Sequence, residues 1–582
     1  VTQKRILTFF LIALQIIAIA PPFFHNTQTA QALTSTSAAL APVTFFPIKG
    51  PLFVDPDNRR YFTDGTKVNG HYKAVYLSGS HTWCNFLDCG STTTPPAFDY
   101  SQYLDFLVAH HHNFIRLWRE ENARGGEQSA NFWFSPMPYQ RSSKCCAYDG
   151  GKKFDLNKFN QAYFDRLRDH VIQAGNRGIY VSIMLFDGWS VESQIPTHQP
   201  WPGHPYNTNN NINRVNGDLN NDGQGGETHT LQSSKILALQ ESYVRKVIDT
   251  VNDLDNVLYE ISNEDKAGGN STSWQYHMVT YIKNYEATKA KQHPVGLSVE
   301  RNCLHNDQLF TSPADWVSPC FDVNNPVVGT GNKVVLDDTD HGCGICGNEA
   351  WAWKSFTHGL NPLFMDPYDG AAVEKGAPVG YDPNNPNDVS LRDNLGYTVL
   401  YSQRIDLAAM PPHPELCSTS YCLANPVPNG AEYLVYLPAG ENISKLLYSL
   451  GVHRNPLVYL PSDSIVTVDL SAAAGELTVE WFNPTTGDTV LGKSVIGGKS
   501  QSFTAPFAGD AVLYIHDDSL SPTPSATETP SLPASTPVST VTSVVPTPTN
   551  VPSSPSLPCF GSILLMVVLV IMSIPIRVLL TH

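Results

Sequence analysis

Positive charge is what this chain is short of. Lysine and arginine number 37 against 53 aspartates and glutamates, a formal net charge of −16, and no basic cluster offsets the deficit locally. Nucleic-acid binding is thereby excluded as a leading function, and partners are expected to be neutral or cationic. Long apolar runs are confined to 6–20 and 560–580. The rest is ordinary globular composition, 41% apolar and 15% charged, and 582 residues accommodate a large core and several domains.

The first apolar run follows Lys4 and Arg5 and precedes Ala30-Gln31-Ala32, a small-residue cleavage pattern. Residues 1–32 therefore read as an export signal, since the run is shorter than the ~20 residues a membrane span requires. At the other end, 519–558 is dominated by Pro, Thr and Ser and cannot bury enough apolar surface to fold, so it reads as a disordered stalk. Residues 560–580 are about long enough to cross a bilayer, with Arg577 near the end where it reaches the interface. Signal, folded exterior, stalk and terminal span predict a monomer on the outer face of the cell membrane, anchored by its tail.

The eleven cysteines fit an oxidising exterior. Close neighbours are Cys84 and Cys89, Cys145 and Cys146, Cys343 and Cys346, Cys417 and Cys422, while Cys303 and Cys320 would close a longer loop. Local disulfides are expected. The competing reading is a zinc or redox site at Cys343 and Cys346 beside His341, against which stand the four ligands of a structural zinc and the export signal.

Residues 256–265, NVLYEISNED, join a buried strand to a polar end. A helix over 231–251 precedes it, with Leu237, Val244, Val247, Ile248 and Val251 on one face. The same rhythm recurs along the chain. Strands are predicted at 71–83, 114–121, 180–186, 256–265, 295–299, 316–317, 333–336 and 362–365, with helices at 103–108, 159–174, 273–287 and 391–407. Eight strands, most separated by helices, predict a (β/α)8 TIM barrel over 43–415. From about residue 429 the period changes to short strands at 433–437, 465–470, 477–483, 502–505 and 511–516, a small all-β sandwich over 429–516. The 194–230 loop is long enough to carry function. In it Asp218, Asn220 and Asp222-Gly223 reproduce the start of a calcium loop, although Glu227 falls two positions before the bidentate glutamate of an EF-hand. A structural calcium is the one metal foreseen, against an ordinary Asn/Gly loop, and no cofactor is required.

In such a barrel the reactive groups stand at the carboxyl ends of the strands. Hydrolysis of a glycosidic bond needs a proton for the leaving oxygen and a second carboxylate for the developing charge at the sugar carbon. Glu264 suits the first role, with Asn263 placed to hold a sugar hydroxyl. Asp338 and Asp340 stand across the mouth on strand seven, with Asp337 competing. Arg116 on strand two can orient a carboxylate, or be an ordinary barrel ion pair. Trp118, Trp189, Trp351 and Tyr368 are candidates to stack on sugar faces, with core packing as the alternative. His81, Trp83 and His341 complete the candidate contacts, and for the histidines a structural role competes, as it does for His111 and His112.

Asn263-Glu264 with Arg116 resembles the clan of retaining (β/α)8 glycoside hydrolases that includes cellulase family five. GSHTW (79–83), NVLYEISNE (256–264), DTDH (338–341) and FMDPYD (364–369) are more closely similar to apiosidase-like, cellulase-superfamily proteins of the DUF4038 type, followed by a β-sandwich named for collagen binding. The resemblance spans about 43–516. It implies an enzyme acting on O-glycosidic bonds of poly- or oligosaccharides, with Glu264 as acid/base and the nucleophile at Asp338. One departure stands out: the clan carries glutamate on strand seven, and here only aspartates are present. The rival class is a surface adhesin that binds glycan or matrix protein through the barrel or the sandwich.

Overall fold

The computed structural model describes residues 48–518 and Ala38–Ala39, apart from 69, 127–128, 194–198, 266–269, 302, 304, 369–381, 383 and 440–463. The expected signal, stalk and anchor lie outside the described residues. Among the described residues no helix is long and apolar enough to cross a membrane.

Eight strands form one parallel sheet, β1 Gly79–His81, β2 Phe114–Leu117, β3 Tyr180–Asp187, β4 Val257–Asn263, β5 Val295–Ser298, β6 Trp316–Ser318, β7 Val334–Asp338 and β8 Asn361–Met365, and the expected first strand over 71–83 is corrected: only 79–81 joins the sheet, while His71–Tyr72 pairs antiparallel with Lys67–Val68. β2 to β8 pair in sequence order and β8 pairs with β1. Closure between β1 and β2 rests on Asn113, whose backbone N–H donates to the Ser78 carbonyl at 3.1 Å while its side-chain oxygen accepts from Ser78 N–H at 2.9 Å. The seam admits no side chain at Gly79: a Cβ there would stand 2.5 Å from the Phe114 carbonyl oxygen. β3 and β4 are buried along their whole length, as expected of strands between barrel interior and outer helices.

Helices α1 Tyr100–Ala109, α2 Gln161–Gly175, α3 Ser234–Val251, α4 Asn270–Glu286, α5 Asn306–Thr311, α6 Glu349–Thr357 and α7 Pro386–Arg404 follow their strands. α3 shows why the sequence folds this way. Ser233 caps it by accepting the Ile236 N–H, and Ile236, Tyr243, Val244, Val247, Ile248 and Val251 form its buried stripe. An antiparallel hairpin, Tyr139–Cys145 with Lys152–Phe159, interrupts the β2 to α2 connection and was not expected. Its first strand is mostly exposed and polar, so no alternation marks it.

The second domain is a sandwich. β9 Cys422–Asn425, β10 Glu432–Leu437, β12 Glu476–Phe482, β13 Asp488–Leu491, β14 Val495–Ile496 and β16 Ala511–His516 share one antiparallel sheet with Ala38–Ala39, and β11 Ile465–Asp469 pairs with β15 Ser500–Thr504. Val435, Val466, Val468, Trp481, Phe503 and Leu513 fill the space between. A separate aromatic core joins sandwich to barrel: Trp353 of α6 and Tyr401 of α7 pack with Tyr436, Phe482 and Tyr514.

Cys84–Cys89, Cys145–Cys146, Cys303–Cys320 and Cys343–Cys346 are disulfides, which leaves no thiolate pair for zinc at Cys343 and Cys346. The expected fifth bridge is corrected: Cys417 and Cys422 are free, buried thiols, with Cys417 Sγ 3.4 Å from the Thr419 hydroxyl.

Candidate active site

Arg116 organises the carboxyl end of the barrel. It is buried, and its guanidinium forks onto Glu260 of β4 (Nε to Oε2 2.8 Å, Nη2 to Oε1 2.6 Å) while Nη1 reaches Asp338 Oδ2 at 3.0 Å and Asp340 Oδ2 at 3.1 Å. Nη2 also donates to Asn263 Oδ1 at 2.8 Å. One cation thus faces three buried carboxyl groups, where neighbouring like charges set the two strand-seven aspartates apart. The two strand-seven aspartates divide accordingly. Burial alone would raise Asp338, but His81 and Arg116 outweigh it and hold the carboxyl well below its ordinary range. Burial pushes Asp340 up to about 6, Arg116 opposing and Asp338 adding to the rise.

Their surroundings differ as well. Asp338 Oδ1 accepts from His81 Nε2 at 3.0 Å and from the Asp340 N–H at 3.0 Å, capping the turn Thr339–His341, so both its oxygens are engaged. The Asp340 side chain is 7% exposed against 1% for Asp338. Asp337 points to the outside of the barrel, where Trp351 Nε1 and Ser355 Oγ of α6 donate to its Oδ2 at 3.0 and 2.5 Å. Alternation along β7 makes the difference.

Asn263 is locked in one orientation. Its oxygen accepts from Arg116 and from His341 Nε2 at 3.2 Å, which leaves His341 Nδ1 to accept the Ser318 hydroxyl at 2.7 Å. Burial, with Arg116 nearby, drops His341 to about 3, so the ring is neutral and this tautomer holds. The Asn263 Nδ2 is buried and has no hydrogen-bond partner. Beside it Glu264 takes φ 41°, a backbone region non-glycine residues seldom occupy, and receives Trp189 Nε1 on Oε2 at 2.6 Å. Gly188 permits that approach: a Cβ there would lie 2.4 Å from the Glu264 carbonyl oxygen. Arg301, just past β5, stacks 3.5 Å over the Trp189 ring.

A second buried network supports the first. His229 from the long loop sits between Asp265 Oδ1 (2.5 Å) and Glu121 Oε1 (3.0 Å), and stacks on Trp274. Burial disfavours its charge, yet the two carboxylates raise it to about 10, so an imidazolium ties the ends of β2 and β4 to the loop. Glu121 also accepts the Asp187 N–H at 2.9 Å.

The structure brings together His81, Arg116, Trp118, Asn263, Asp338, Asp340 and His341; Trp118 stacks on His81 at 5.4 Å. Trp83, Trp118 and Trp189 line one cleft. Trp351 and Tyr368 lie elsewhere. Trp351 is 1% exposed and serves Asp337 outside β7, and the Tyr368 ring packs against Tyr103 and Phe106 of α1. In the 218–227 loop, Asp218, Asn220 and Asp222 oxygens accept backbone N–H groups of Asp222, Gly223 and Gln224, and Glu227 receives Asn220 Nδ2 at 2.7 Å. Among the described residues no three His, Cys, Asp or Glu side chains converge as a metal site. Glu260, His229 and Arg301 were not foreseen, and Glu121 was legible only as a carboxylate toward the end of β2. Glu260 and Arg301 had a legible signal, a charge within an apolar strand and one just past a strand end.

Residues 107–314 match the family model described as "Domain of unknown function (DUF6298)", and 431–516 that of a "Putative collagen-binding domain of a collagenase". Among solved structures, the chain is similar to a glycoside hydrolase family 5 protein from Bacteroides vulgatus ATCC 8482, at 14% identity over 82% of this chain and 96% of that one, TM-score 0.49. It is similar also to an endo-1,4-beta-mannanase from Rhizomucor miehei, at 12% identity over 62% of this chain and 100% of that one, TM-score 0.36. No curated protein matches.

Proposed function

We propose that this chain is a glycoside hydrolase acting on O-glycosidic bonds of poly- or oligosaccharides, exported and held at the cell surface. The observation that carries the reading is the Arg116 guanidinium, which gathers Asp338, Asp340 and Asn263 at one barrel end with Glu264 next in the chain. Glu264 is the acid/base. Its proton passes to the glycosidic oxygen as the bond to the sugar carbon breaks, and the leaving group takes the bonding pair. A strand-seven aspartate forms the new bond to that carbon. Asp340 fits this role better than Asp338, because Asp338 spends both oxygens on His81, Arg116 and the turn it caps. Water, losing its proton to the Glu264 carboxylate, then displaces the aspartate. Trp189 stabilises that carboxylate between the two halves. Asn263 Nδ2 is left to hold a sugar hydroxyl.

The test is sugar release by the full chain from a panel of plant and microbial polysaccharides, beside Glu264→Gln, Asp338→Asn and Asp340→Asn. Release by the parent that collapses in Glu264→Gln and Asp340→Asn supports the assignment. No release from any polysaccharide refutes the enzyme. A second reading, adhesion through the barrel or the sandwich, draws on the collagen-binding name of the model matched by 431–516. It predicts glycan or collagen binding that survives all three substitutions without turnover.

A further inference from the structure

Glu264 and the indole that donates to it come from different strand ends, Glu264 just past β4 and Trp189 from the turn Gly188–Val191 after β3. Both ends lead to His229 of the long loop, a side chain the proposed reaction does not use. On the β4 side, His229 Nδ1 lies 2.5 Å from Oδ1 of Asp265, the residue after Glu264. On the β3 side, its Nε2 lies 3.0 Å from Glu121 Oε1. Glu121 in turn holds both flanks of Trp189: Oε1 accepts the Asp187 N–H at 2.9 Å, and its own N–H donates to Ser190 Oγ at 2.9 Å. The two backbones meet at Gly188, where a Cβ would stand 2.4 Å from the Glu264 carbonyl oxygen and 2.7 Å from the Asp265 nitrogen. A φ of 41° at Glu264 persists only where the surroundings hold it.

The ring is itself fixed. It stacks on Trp274 at 4.5 Å with 5° between the planes, and Gln240 holds that indole, accepting Trp274 Nε1 at 3.0 Å while donating to the Thr228 carbonyl at 2.9 Å. A carboxylate on each nitrogen requires both nitrogens to donate, which makes the ring an imidazolium, and the face of a tryptophan favours a cation. Beyond the ring, Arg119 Nη2 and His204 Nε2 face the other Glu121 oxygen at 3.6 and 3.5 Å. Burial would raise Glu121, but Arg119 and His229 outweigh it and hold that carboxyl well below its ordinary range.

We propose that His229 is the positioning residue of the acid/base: one imidazolium, pulling on Asp265 and on Glu121, holds Glu264 and Trp189 at the separation their hydrogen bond needs. The assignment rests on reading Glu264 as the acid/base. His229 acts through its two carboxylates, not on the sugar. Its loss is therefore selective. A displaced Glu264 delivers its proton poorly, which slows a bond whose leaving oxygen is basic and barely slows one whose leaving group departs as a stabilised phenolate.

The experiment compares the full chain with His229→Gln, which removes the charge and the second donor nitrogen. Two substrates are used, the smallest oligosaccharide the parent cleaves and the 2,4-dinitrophenyl glycoside of the sugar it releases. In His229→Gln, kcat/KM should fall about 10²-fold for the oligosaccharide and by no more than about threefold for the dinitrophenyl glycoside. An equal fall for both, the mark of a merely structural role, overturns the proposal, as does no fall in either. Nuclear magnetic resonance of the ¹⁵N-histidine-labelled chain gives a readout free of turnover. At about pH 8, where an ordinary imidazole is neutral, the signal that His229→Gln removes should be a ring with two N–H protons. The Trp189 indole N–H, identified by Trp189→Phe, should shift in His229→Gln as it does in Glu264→Gln. A neutral His229 or an unmoved indole overturns the proposal. If His229→Gln does not fold, Asp265→Asn cuts the β4 arm and carries the same kinetic and indole readouts. The two readings fail separately. No release by the parent refutes the enzyme, and the two resonance signals then decide the brace by themselves, whereas release with a neutral His229 or an unmoved indole refutes the brace and leaves the enzyme.

Discussion

The barrel mouth and the seam between barrel and sandwich draw on the same side chains, tryptophan, tyrosine, arginine and glutamate, and use them in opposite ways. In the seam, Trp353 Nε1 donates to Asn394 Oδ1 at 2.7 Å, Glu480 accepts from Tyr401 and from both Arg404 Nη atoms, and Glu432 accepts the Tyr514 hydroxyl at 2.6 Å. One cation meets one carboxylate there, and the rings close on each other. At the mouth one guanidinium meets three carboxyl groups, and Trp83, Asn122, Asp187 and Asn263 keep polar atoms unpartnered. These seam groups find their partners within the seam, where the Tyr61 hydroxyl is the exception among that core's polar atoms. The mouth keeps buried polar atoms without a protein partner, an arrangement that costs stability.

That division makes opposite substitutions separable. The largest effect is expected from Glu264→Gln: turnover falls by about 10³–10⁴-fold, roughly 4–5 kcal/mol of barrier, while the denaturant midpoint stays that of the parent. Trp353→Ala should do the reverse. Its ring is fully buried against Tyr401, Phe482 and Tyr436, so truncation costs roughly 3–5 kcal/mol in denaturant unfolding with turnover unchanged in the folded fraction. A Trp353→Ala protein that is stable but inactive would break the comparison outright.

Asp340 sharpens it through pH. Its folded-state pKa is raised to about 6. The group therefore contributes stability that is present below its ordinary value and is lost as pH rises through about 6, whereas catalysis needs the anion formed above that value. Asp338, held low, contributes stability above its ordinary value and loses it only as pH falls further. With Asp340 as nucleophile, kcat/KM should fall about tenfold per pH unit below 6. Because Asp338 is one cause of the rise, Asp338→Asn should move that acid limb to lower pH. A limb that stays in place in Asp338→Asn would assign it to another group.

The barrel was legible because its strands are short apolar runs with polar ends, and NVLYEISNED showed both parts in ten residues. The choice among Asp337, Asp338 and Asp340 was not. A strand buried on both faces is apolar on both, so its sequence gives no clue which side chains point inward, and three aspartates look alike until the register of β7 is known. Trp351 misled for the same reason, since a tryptophan in the β7 to β8 connection can face the mouth or the outer helix layer. Asp187 and Glu120 were legible as strand-end carboxylates but not as neighbours, because a carboxyl pair made from two strand ends is contiguous only in space. The free thiols Cys417 and Cys422 show the same limit, proximity in sequence having stood in for a bond.

The smallest effect is expected in the seam, at Glu480→Gln. Arg404 forks onto Glu480 at 2.8 and 3.0 Å, and the Tyr401 hydroxyl donates to the same carboxylate. An amide of the same shape keeps one acceptor and turns an N–H toward the guanidinium, so part of the pairing survives. The Arg404 side chain is one-third exposed, and solvent screens the charge that is lost. The unfolding free energy should drop by about 1 kcal/mol or less, by less still in high salt, and sugar release should be unchanged. This weak substitution is the more searching control. A stability change this small cannot account for a loss of turnover through unfolding, so reduced release by Glu480→Gln at an unchanged midpoint would mean that the sandwich reaches the working site through α7, and the separation between seam and mouth would fail.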